Sequence, residues 1–389
     1  MINPTLKRFR NIFSTLLPVV AGVMMAACDA VYDDQEPCAP DPNTLTTVNF
    51  VYDYNMLHTD LFTDHAGSVY LYIFDNDGVY RHREEKHYVD MPKGHIDFSM
   101  TFDTTVLVPG HTYQMVAIAQ GNRVGVEDSQ ETPGFTLLTE MIKGKSRIED
   151  YVLKLDRDDD GNFDFGVVNY KDAYGHNEQM IDTIWTTKPD EVQTVTIPEA
   201  DFKPSLYKQP DRQLYVDIPM MRITNSVTVN LVGPLFTETT NVDDYHVLIN
   251  FPHGNGTIDF TGNTLPAQEL YYQTLRKNMV PYTPKQATRA DSDTYALQSV
   301  FGVSRLQIHD ESSLQVRDAA TNELIFQIDN FSDFLADAFN DGYSDGQEFL
   351  DREYDFEVDV ALDSSGDPLW ATITAQVLGW TVRINFVSF

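Results

Sequence analysis

The chain has 389 residues, with 27 lysine and arginine side chains against 59 aspartate and glutamate side chains, so its formal charge is −32. A chain this acidic repels phosphate backbones, which excludes nucleic-acid binding through a basic groove and disfavours binding to anionic membrane surfaces. An apolar fraction of 42% is enough for packed cores, whereas two cysteines are too few for a disulfide-dense scaffold or a four-ligand zinc site.

The first 27 residues have the pattern of an export signal. Three basic side chains within positions 7–10 precede a largely apolar run over 12–23, and two alanines then lead directly to Cys28. A cysteine directly after two small residues is the acceptor expected at a bacterial lipoprotein cleavage site. We therefore predict a signal peptide over 1–27 and acyl chains such as palmitate on Cys28, which together would form a stable membrane anchor. An ordinary signal peptide with an incidental Cys28 is the alternative.

Residues 28–43 are predicted to form an acidic tether between the lipid and the first domain. Cys38 would be left unpaired once Cys28 carries lipid, whereas an unlipidated chain could close a short disulfide between the two. No other apolar run approaches the 18 residues of a spanning helix, so the lipid would be the single membrane attachment.

Period-two alternation of apolar and polar residues predicts that the body of the chain consists of half-buried antiparallel strands. The predicted strands are Val48–Tyr54, Ser68–Phe74, His95–Phe102, Thr112–Ala119, Arg222–Val232, Tyr245–Phe251, Ser304–His309, Tyr354–Leu362, Ala371–Val377 and Trp380–Phe386. An apolar stripe with spacing i, i+3, i+4, i+7 and i+8 predicts one helix over Phe331–Phe339. Many short strands with few helices favour an all-β fold of β-sandwiches.

Length and a linker pattern predict two domains. The 362 residues after the signal suit two domains of ordinary size. The stretch Ile197–Arg212 is polar and contains three prolines, so it is the candidate linker. We expect an N-terminal β-sandwich over 44–205 and a C-terminal β-sandwich over 206–389.

The sequence contains no motif that indicates catalysis. A nucleophile elbow, a phosphate loop and a dinucleotide-binding fingerprint are all missing from it. His82 and His87 are five residues apart, so they would not share a helix face as a zincin motif requires, and a solvated charge cluster is the better interpretation. We predict neither enzymatic activity nor a cofactor.

One acidic string resembles half of a calcium-binding loop. Asp156, Asp158 and Asp160 are followed by Gly161, which matches the first ligands and the sharp turn of such a loop. The twelfth position is Val167 instead of the bidentate glutamate. An acidic turn between strands is therefore favoured, and calcium binding is the weaker alternative.

Five segments carry a resemblance to a known family. They are Cys28–Cys38, Asp217–Val229, Ser304–Leu306, Gln347–Glu353 and Gly379–Arg383. In this order they resemble the Bacteroidales fimbrial anchor lipoproteins, the FimB-like family of fimbrillin-A-associated anchor proteins. The resemblance implies two transthyretin-like β-sandwich domains, a surface-exposed lipid anchor in the outer membrane, and a role at the base of a polymeric fimbria. Such proteins hold the shaft and affect its length.

The resemblance also implies that fimbrial shaft subunits are partners and that they join by strand donation. In β-augmentation, main-chain hydrogen bonds supply affinity and alternate side chains set the register. The candidate exchanging strands are Val48–Tyr54 and Gly379–Phe389. The predicted partner-binding residues are the apolar positions of the last strand, Trp380, Val382, Ile384 and Phe386. The alternative is that both strands only complete their own sandwiches.

Two other functions stay open from the sequence. A fimbrial tip or minor adhesive subunit would leave the cell surface with the shaft, whereas Cys28 and its tether favour a protein that stays. A surface glycan-binding lipoprotein would bind sugars without a fimbrial partner. The segment Gln347–Glu353 is expected to fix a turn, with Arg352 paired to neighbouring acids, and to do no chemistry.

Overall fold

The computed structural model describes residues 45–123, 134–156, 167–168, 181–189, 193–197, 213–273, 276–283, 294–338, 343–377 and 380–388. The strands of the first half are β1 Leu45–Val51, β2 Ser68–Asp75, β3 Tyr80–His87, β4 Met100–Phe102, β5 Thr112–Gln120, β6 Phe135–Leu137, β7 Val152–Leu155, β8 Val167–Val168, β9 Ile184–Thr187, β10 Gln193–Thr196 and β11 Gln213–Arg222. Those of the second half are β12 Thr224–Val232, β13 Tyr245–Phe251, β14 Thr257–Asp259, β15 Leu270–Gln273, β16 Arg276–Pro281, β17 Tyr295–Ser304, β18 Ser313–Asp318, β19 Leu324–Asp329, β20 Asp355–Leu362, β21 Pro368–Val377 and β22 Trp380–Ser388. The helices are α1 Phe62–His65, α2 Phe331–Ala336 and α3 Gly346–Arg352. The all-β class predicted from the sequence is confirmed.

The first half is organised around one curled sheet with the order β3-β2-β5-β9-β11-β1-β4, and β10 adds to β5. Its pairs are antiparallel except for β1 and β11, which run parallel. The sheet curls far enough to bring its two edges together, because the ring of His82 on β3 lies 5.7 Å from the ring of Phe102 on β4. The inner face of this curl holds a separate core centred on Trp185 and Phe62.

Strand β2 shows why this sheet is buried on both faces. Val69, Leu71 and Ile73 belong to the inner core, whereas Tyr72 and Phe74 belong to the second and larger core. Successive side chains of a strand point to opposite faces, so a strand between two cores reads as a nearly continuous apolar run. The small sheet β14-β7-β6 faces that larger core, to which it contributes Phe135 and Leu153, among others.

The second half is a sandwich of two sheets. One has the order β16-β17-β12-β20-β21-β22 and the other the order β19-β18-β13-β15-β8. Alternate residues of β12 and β20, among them Val229 and Val358, are fully buried between the sheets together with Ile249 of β13. Strands β12 and β20 are parallel, so the connection between them crosses over and carries both α2 and α3.

The two halves exchange strands. Strand β14 from the second half pairs with β7 of the first, and β8 from the first half pairs with β15 of the second. The larger core is continuous across both halves, since it includes Tyr151 as well as Phe301. Separating the halves would therefore break main-chain pairing and open a shared core.

Strand β11 lies after the expected domain boundary at 205/206, yet it is hydrogen-bonded to β1 and β9 in the first sheet. Strand β12 begins at Thr224 and belongs to the second sandwich. We propose that the division between the halves lies at Ile223 instead. The expected linker falls mostly on 198–212, outside the described residues.

Several predicted elements differ from the structure, among them the strand predicted over Val48–Tyr54, which is β1 and ends at Val51. The strand Ser304–His309 was expected because of its alternation, but β17 ends at Ser304 and the chain then turns, with His309 at φ 65°. Of the predicted strand His95–Phe102, the part that pairs is β4, with three residues. The segment Gln347–Glu353, expected to fix a turn into the following strand, is itself mostly helical and forms most of α3, a helix that was not predicted.

Helix α3 has local signals that explain it. The side chain of Asp345 caps its first turn by accepting a hydrogen bond of 2.9 Å from the backbone N–H of Glu348. The carboxylate of Glu348 in turn pairs with Arg352 at i+4, at 2.7 Å. Aspartate followed three residues later by glutamate is a known start signal for a helix, so this element was within reach of sequence reasoning. Helix α2 begins at Phe331 as predicted and ends at Ala336.

Candidate functional site

The lipid-attachment residue Cys28 and the tether 28–43 precede the first described residue, so both stay predictions from the sequence. Among the helices that the structure describes, none has the length and apolar character needed to cross a bilayer.

The predicted partner-binding positions lie on β22, which is an edge strand. It pairs with β21 along its whole length, and no strand of the described part lies on its other side. Trp380 is opposite Val377 and Val382 is opposite Ala375, but one extra residue, Ile384, interrupts the register. Phe386 is therefore opposite Thr372, one residue out of step with the alternate positions, Val377 and Ala375, that lie opposite Trp380 and Val382. The bulge means that the four positions do not form one uninterrupted alternating series.

The acidic string is only partly within the described residues. Asp156 directly follows β7, and its carboxylate accepts a hydrogen bond of 3.0 Å from the backbone N–H of Gly134. Asp158 and Asp160 lie outside the described residues. Within the described ranges, no group of three histidine, cysteine or carboxylate side chains is placed to hold a metal ion.

Three of the segments that carry the family resemblance meet where the two halves join. The segment Asp217–Val229 runs from β11 through Ile223 into β12, Ser304–Leu306 leaves β17, and Gln347–Glu353 belongs to α3. We call this region the junction, and define it by the buried side chains Arg305, Asp351 and Glu353, by the half-buried Arg222 and by Arg352 at its surface. The structure brings together residues that are up to 131 positions apart in the sequence, Arg222 and Glu353.

Arg305 and Asp351 form a buried bidentate ion pair at the centre of the junction. Nε and Nη2 of the arginine each donate to one carboxylate oxygen at 2.9 Å, and both side chains are almost fully buried. The third guanidinium nitrogen donates to the carbonyl of Gly262. Gln347 donates both to Asp351 at 3.0 Å and to the carbonyl of Leu306 at 3.1 Å. The pair therefore links α3 to two loops, and its hydrogen-bonding capacity is used within the protein.

A second arginine, Arg222, lies at the end of β11, where its guanidinium carbon is 4.2 Å from the ring centroid of Tyr354. Burial lowers its pKa below the usual arginine range, partly offset by the nearby Tyr52 hydroxyl. A cation stacked on an aromatic face in a desolvated place is worth on the order of 2 kcal/mol. This contact ties the last strand of the first half to the start of β20.

Glu353 is the buried carboxyl of the junction. One oxygen accepts from the backbone N–H groups of Tyr354 and Asp355, at 3.0 and 3.1 Å. The other oxygen is buried and has no hydrogen-bond partner among the described residues. Burial raises the pKa of Glu353 to about 7, because the charged form is poorly solvated there, and the two backbone hydrogen bonds only partly oppose this.

Arg352 closes the junction at its surface. Its guanidinium carbon lies 4.1 Å from the ring centroid of Tyr54, which follows β1, and the Nζ of Lys188 lies 4.5 Å from the same centroid. The expected pairing of Arg352 with a neighbouring acid is confirmed by its 2.7 Å contact with Glu348. A cleft of about 460 Å³ opens beside these side chains, lined by Val51, Asp53, Tyr54, His58, Lys188, Asp217, Pro219 and Arg352.

The sequence indicated the segments that form the junction, but not which side chains interact within it. Arg305 and Arg222 each lie at the end of an apolar strand, and a lone arginine in such a place is a usable signal for a buried partner. The partner itself is set by the fold, since Asp351 is one of 59 acidic residues. Tyr54 carries no signal at all, because tyrosine after a strand is common.

The described fold is all-β, and its central ion pair, Arg305 with Asp351, is engaged within the protein. The sequence profile of the family described as fimbrillin-A associated anchor proteins Mfa1 and Mfa2 matches residues 35–386. The chain therefore belongs to this family, which confirms the resemblance and associates the protein with fimbriae at the cell surface. Comparison with curated proteins gives no match.

Solved structures share the fold across nearly the whole chain. A candidate adhesin from Bacteroides thetaiotaomicron has a TM-score of 0.61 at 20% identity, and the alignment covers 90% of this chain and 100% of that one. A candidate polysaccharide-binding protein from the same species has 0.60 at 21%, covering 88% and 98%. The fimbrial anchor protein Mfa2 from Porphyromonas gingivalis has 0.53 at 16%, covering 88% and 99%. At these identities the likeness concerns the fold.

Replacing Arg305 with methionine is expected to lower the free energy of unfolding by about 3–5 kcal/mol, because Asp351 would be left as an unpaired buried charge. Replacing both residues, Arg305→Met with Asp351→Leu, should recover most of that loss. Chemical denaturation followed by tryptophan fluorescence measures both. Arg147→Met is the control, because its pair with Glu149 is exposed and should be worth less than about 1 kcal/mol. A double variant as unstable as the single one would contradict the ion-pair argument.

Relative to the parent protein, the variant Glu353→Gln is expected to gain stability as the pH rises. The folded state holds the proton more tightly than the unfolded state, so the stability contributed by Glu353 is complete below about pH 4.5 and is lost as the pH rises through about 7. Between acid and the range above pH 7, the difference in free energy of unfolding between variant and parent should shift by roughly 3 kcal/mol in favour of the variant. Denaturation from pH 4 to 9 tests this.

Glu348→Gln serves as a control of opposite sign. Hydrogen bonds from Ser344 and Arg352 lower the pKa of Glu348 to about 2, so its contribution is present above about pH 4.5 and is lost in acid. A constant difference between Glu353→Gln and the parent protein at all pH values would show that Glu353 does not titrate in this range.

Proposed function

We propose that this protein anchors a polymeric surface fimbria at its base, held in the outer membrane by lipid on Cys28, and influences the assembly or length of the shaft. The observation that carries the proposal is the family match over 35–386 in a chain that also has a lipoprotein-type signal and Cys28. In this proposal the residues 28–43 are the tether, and the two interlocked halves transmit the pull of the shaft to the lipid. The protein acts without catalysis or a cofactor.

The strand order supports β22 as the contact for the first shaft subunit. Most other edges are protected: β3 has the charged sequence Tyr80–His87, β4 has three residues, and β16 is basic at its start and ends in Pro281. Charges, proline and short length all discourage pairing at a sheet edge. Strand β22 has nine residues and one arginine, so it offers the longest edge in the described part of the chain. Its bulge at Ile384 would fix the register of an added strand.

The strand pairing also supports a role in transmitting force from the shaft to the tether. Force applied at β22 passes through β21 and β20 to β12, and β12 continues through Ile223 into β11. Strand β11 pairs with β1, whose first residue follows the tether. The path from β22 to the tether therefore runs through main-chain hydrogen bonds and one covalent link.

Replacing Cys28 with alanine in the native host is expected to release fimbrial shafts into the medium, because the lipid would no longer hold their base. Shaft protein on washed cells and in the medium is measured by quantitative blotting. Cys38→Ala is the matched control, since that cysteine lies ten residues further on and should leave the shafts on the cells. Shafts retained normally while this protein alone is released would contradict the anchor, and a tip or glycan-binding role would then lead.

A photo-crosslinking residue at Thr381 on β22 is expected to trap a fimbrial shaft subunit on intact cells, because an added strand would lie beside it. The same residue at Glu84 on β3 is the control, since that edge is charged and should trap none. Crosslinked partners are identified by mass spectrometry. Crosslinking at Glu84 and not at Thr381 would exclude β22 as the contact.

A further inference from the structure

An exposed turn with one isoleucine and two lysines lies at the end of the first half where β1 begins. Ile142, Lys143, Gly144 and Lys145 are all exposed, and the side chain of Ile142 is 52% accessible. The backbone N–H of Lys145 bonds to the carbonyl of Ile142, and Gly144 has φ 74°, so the four residues form a tight turn. We call it the IKGK turn.

Strand register places the IKGK turn at the tether end. Thr46, the second residue of β1, is paired with Phe102, whose ring lies against His82 of β3. The N–H of Gly144 donates to the carbonyl of Tyr80, the first residue of β3, at 2.8 Å. The start of β1 and the turn are thus at the same end of the curled sheet.

We propose that the IKGK turn docks onto the phosphate-bearing headgroup layer of the outer membrane and orients the anchored protein on it. This inference rests on the proposed lipid attachment at Cys28. Sixteen residues separate Cys28 from Leu45, a span of at most about 60 Å, so the tether limits how far this end of the molecule can lie from the bilayer. The other end of β3, at His87, lies at the opposite end of the curled sheet.

The chemistry of the turn fits such a surface. An exposed isoleucine can enter the boundary between headgroups and acyl chains, while lysine stems extend along it and place their ammonium groups among phosphates. Neither Lys143 nor Lys145 forms an ion pair with a carboxylate of the described residues, in a chain whose formal charge is −32. Other cations nearby are committed, since Arg81 pairs with Asp75 and Arg147 with Glu149.

The overall charge determines how strong this contact is. The acidic body and the exposed Glu140 oppose approach to phosphates, so the turn alone binds weakly. A tether raises the local concentration of the membrane surface to the millimolar range, where a weak contact is occupied. The docking is therefore a property of the lipidated protein, and it leaves β22 and the second half directed away from the membrane.

Lysine acetylation of the lipidated protein on vesicles of phosphatidylethanolamine and phosphatidylglycerol tests the proposal. Lys143 and Lys145 should react about threefold or more slowly on vesicles than in detergent solution, as read by mass spectrometry. Lys93 is the matched control, because it lies in the exposed turn 92–95 at the opposite end of β3 and should react equally in both. Equal reactivity of Lys143 and Lys145 in both settings would overturn the docking.

A pair of substitutions separates docking from general effects on folding. Ile142→Asp should remove the protection of Lys143 and Lys145 while the protein stays on the vesicles. Ile96→Asp, at an exposed isoleucine next to the control turn, should leave that protection intact. Protection that survives Ile142→Asp would contradict insertion of the turn.

The same samples distinguish failure of the anchor from failure of the docking. Protein that floats with the vesicles but shows unprotected lysines keeps the lipid anchor and excludes the docked turn. Protein from the native host that does not partition with membranes at all removes the anchor, and with it the docking that depends on the tether.

Discussion

The buried ion pair between Arg305 and Asp351 is the constraint on which the rest of the structure depends. It stops β17 from continuing, since the arginine must turn inward at the end of the strand to reach α3. Helix α3 is thereby held against the end of β11, and Arg352 at its C-terminus contacts Tyr54 after β1. Buried ion pairs add little net stability but are costly to leave half-formed, so this one favours a single arrangement of the two halves.

In the proposed anchor, a single arrangement of the two halves would transmit the pull of the shaft. The halves share a core and exchange β8 and β14, so they are held together by main-chain hydrogen bonds as well as by the side chains of the junction. At its centre, the guanidinium of Arg305 and the carboxylate of Asp351 bind each other. Glu353 has a buried carboxylate oxygen without a hydrogen-bond partner among the described residues and a raised pKa, which makes the junction sensitive to pH.

Much of the fold was predictable from local pattern. Strand β13 was predicted with its observed bounds, and β2 and β5 to within a residue, because an apolar alternation bounded by turn residues is a local property. The segment after Ser304 misled the prediction, since it alternates like a strand but is bent by a distant aspartate. Helix α3 was missed although its cap and its Glu348–Arg352 pair are local, because the segment is short and its apolar stripe has only Phe349 and Leu350.

The sequence by itself determined the all-β class and the family, and it predicted the export signal with Cys28, because each depends on residues that are adjacent or recur at a fixed period. Only the tertiary structure decided which of 59 acids neutralises Arg305, that β11 belongs to the first sheet, and that the IKGK turn and the start of β1 share one end. These are long-range facts. They follow from packing and strand register between distant segments, and no local pattern encodes which partner a strand or a charge will meet.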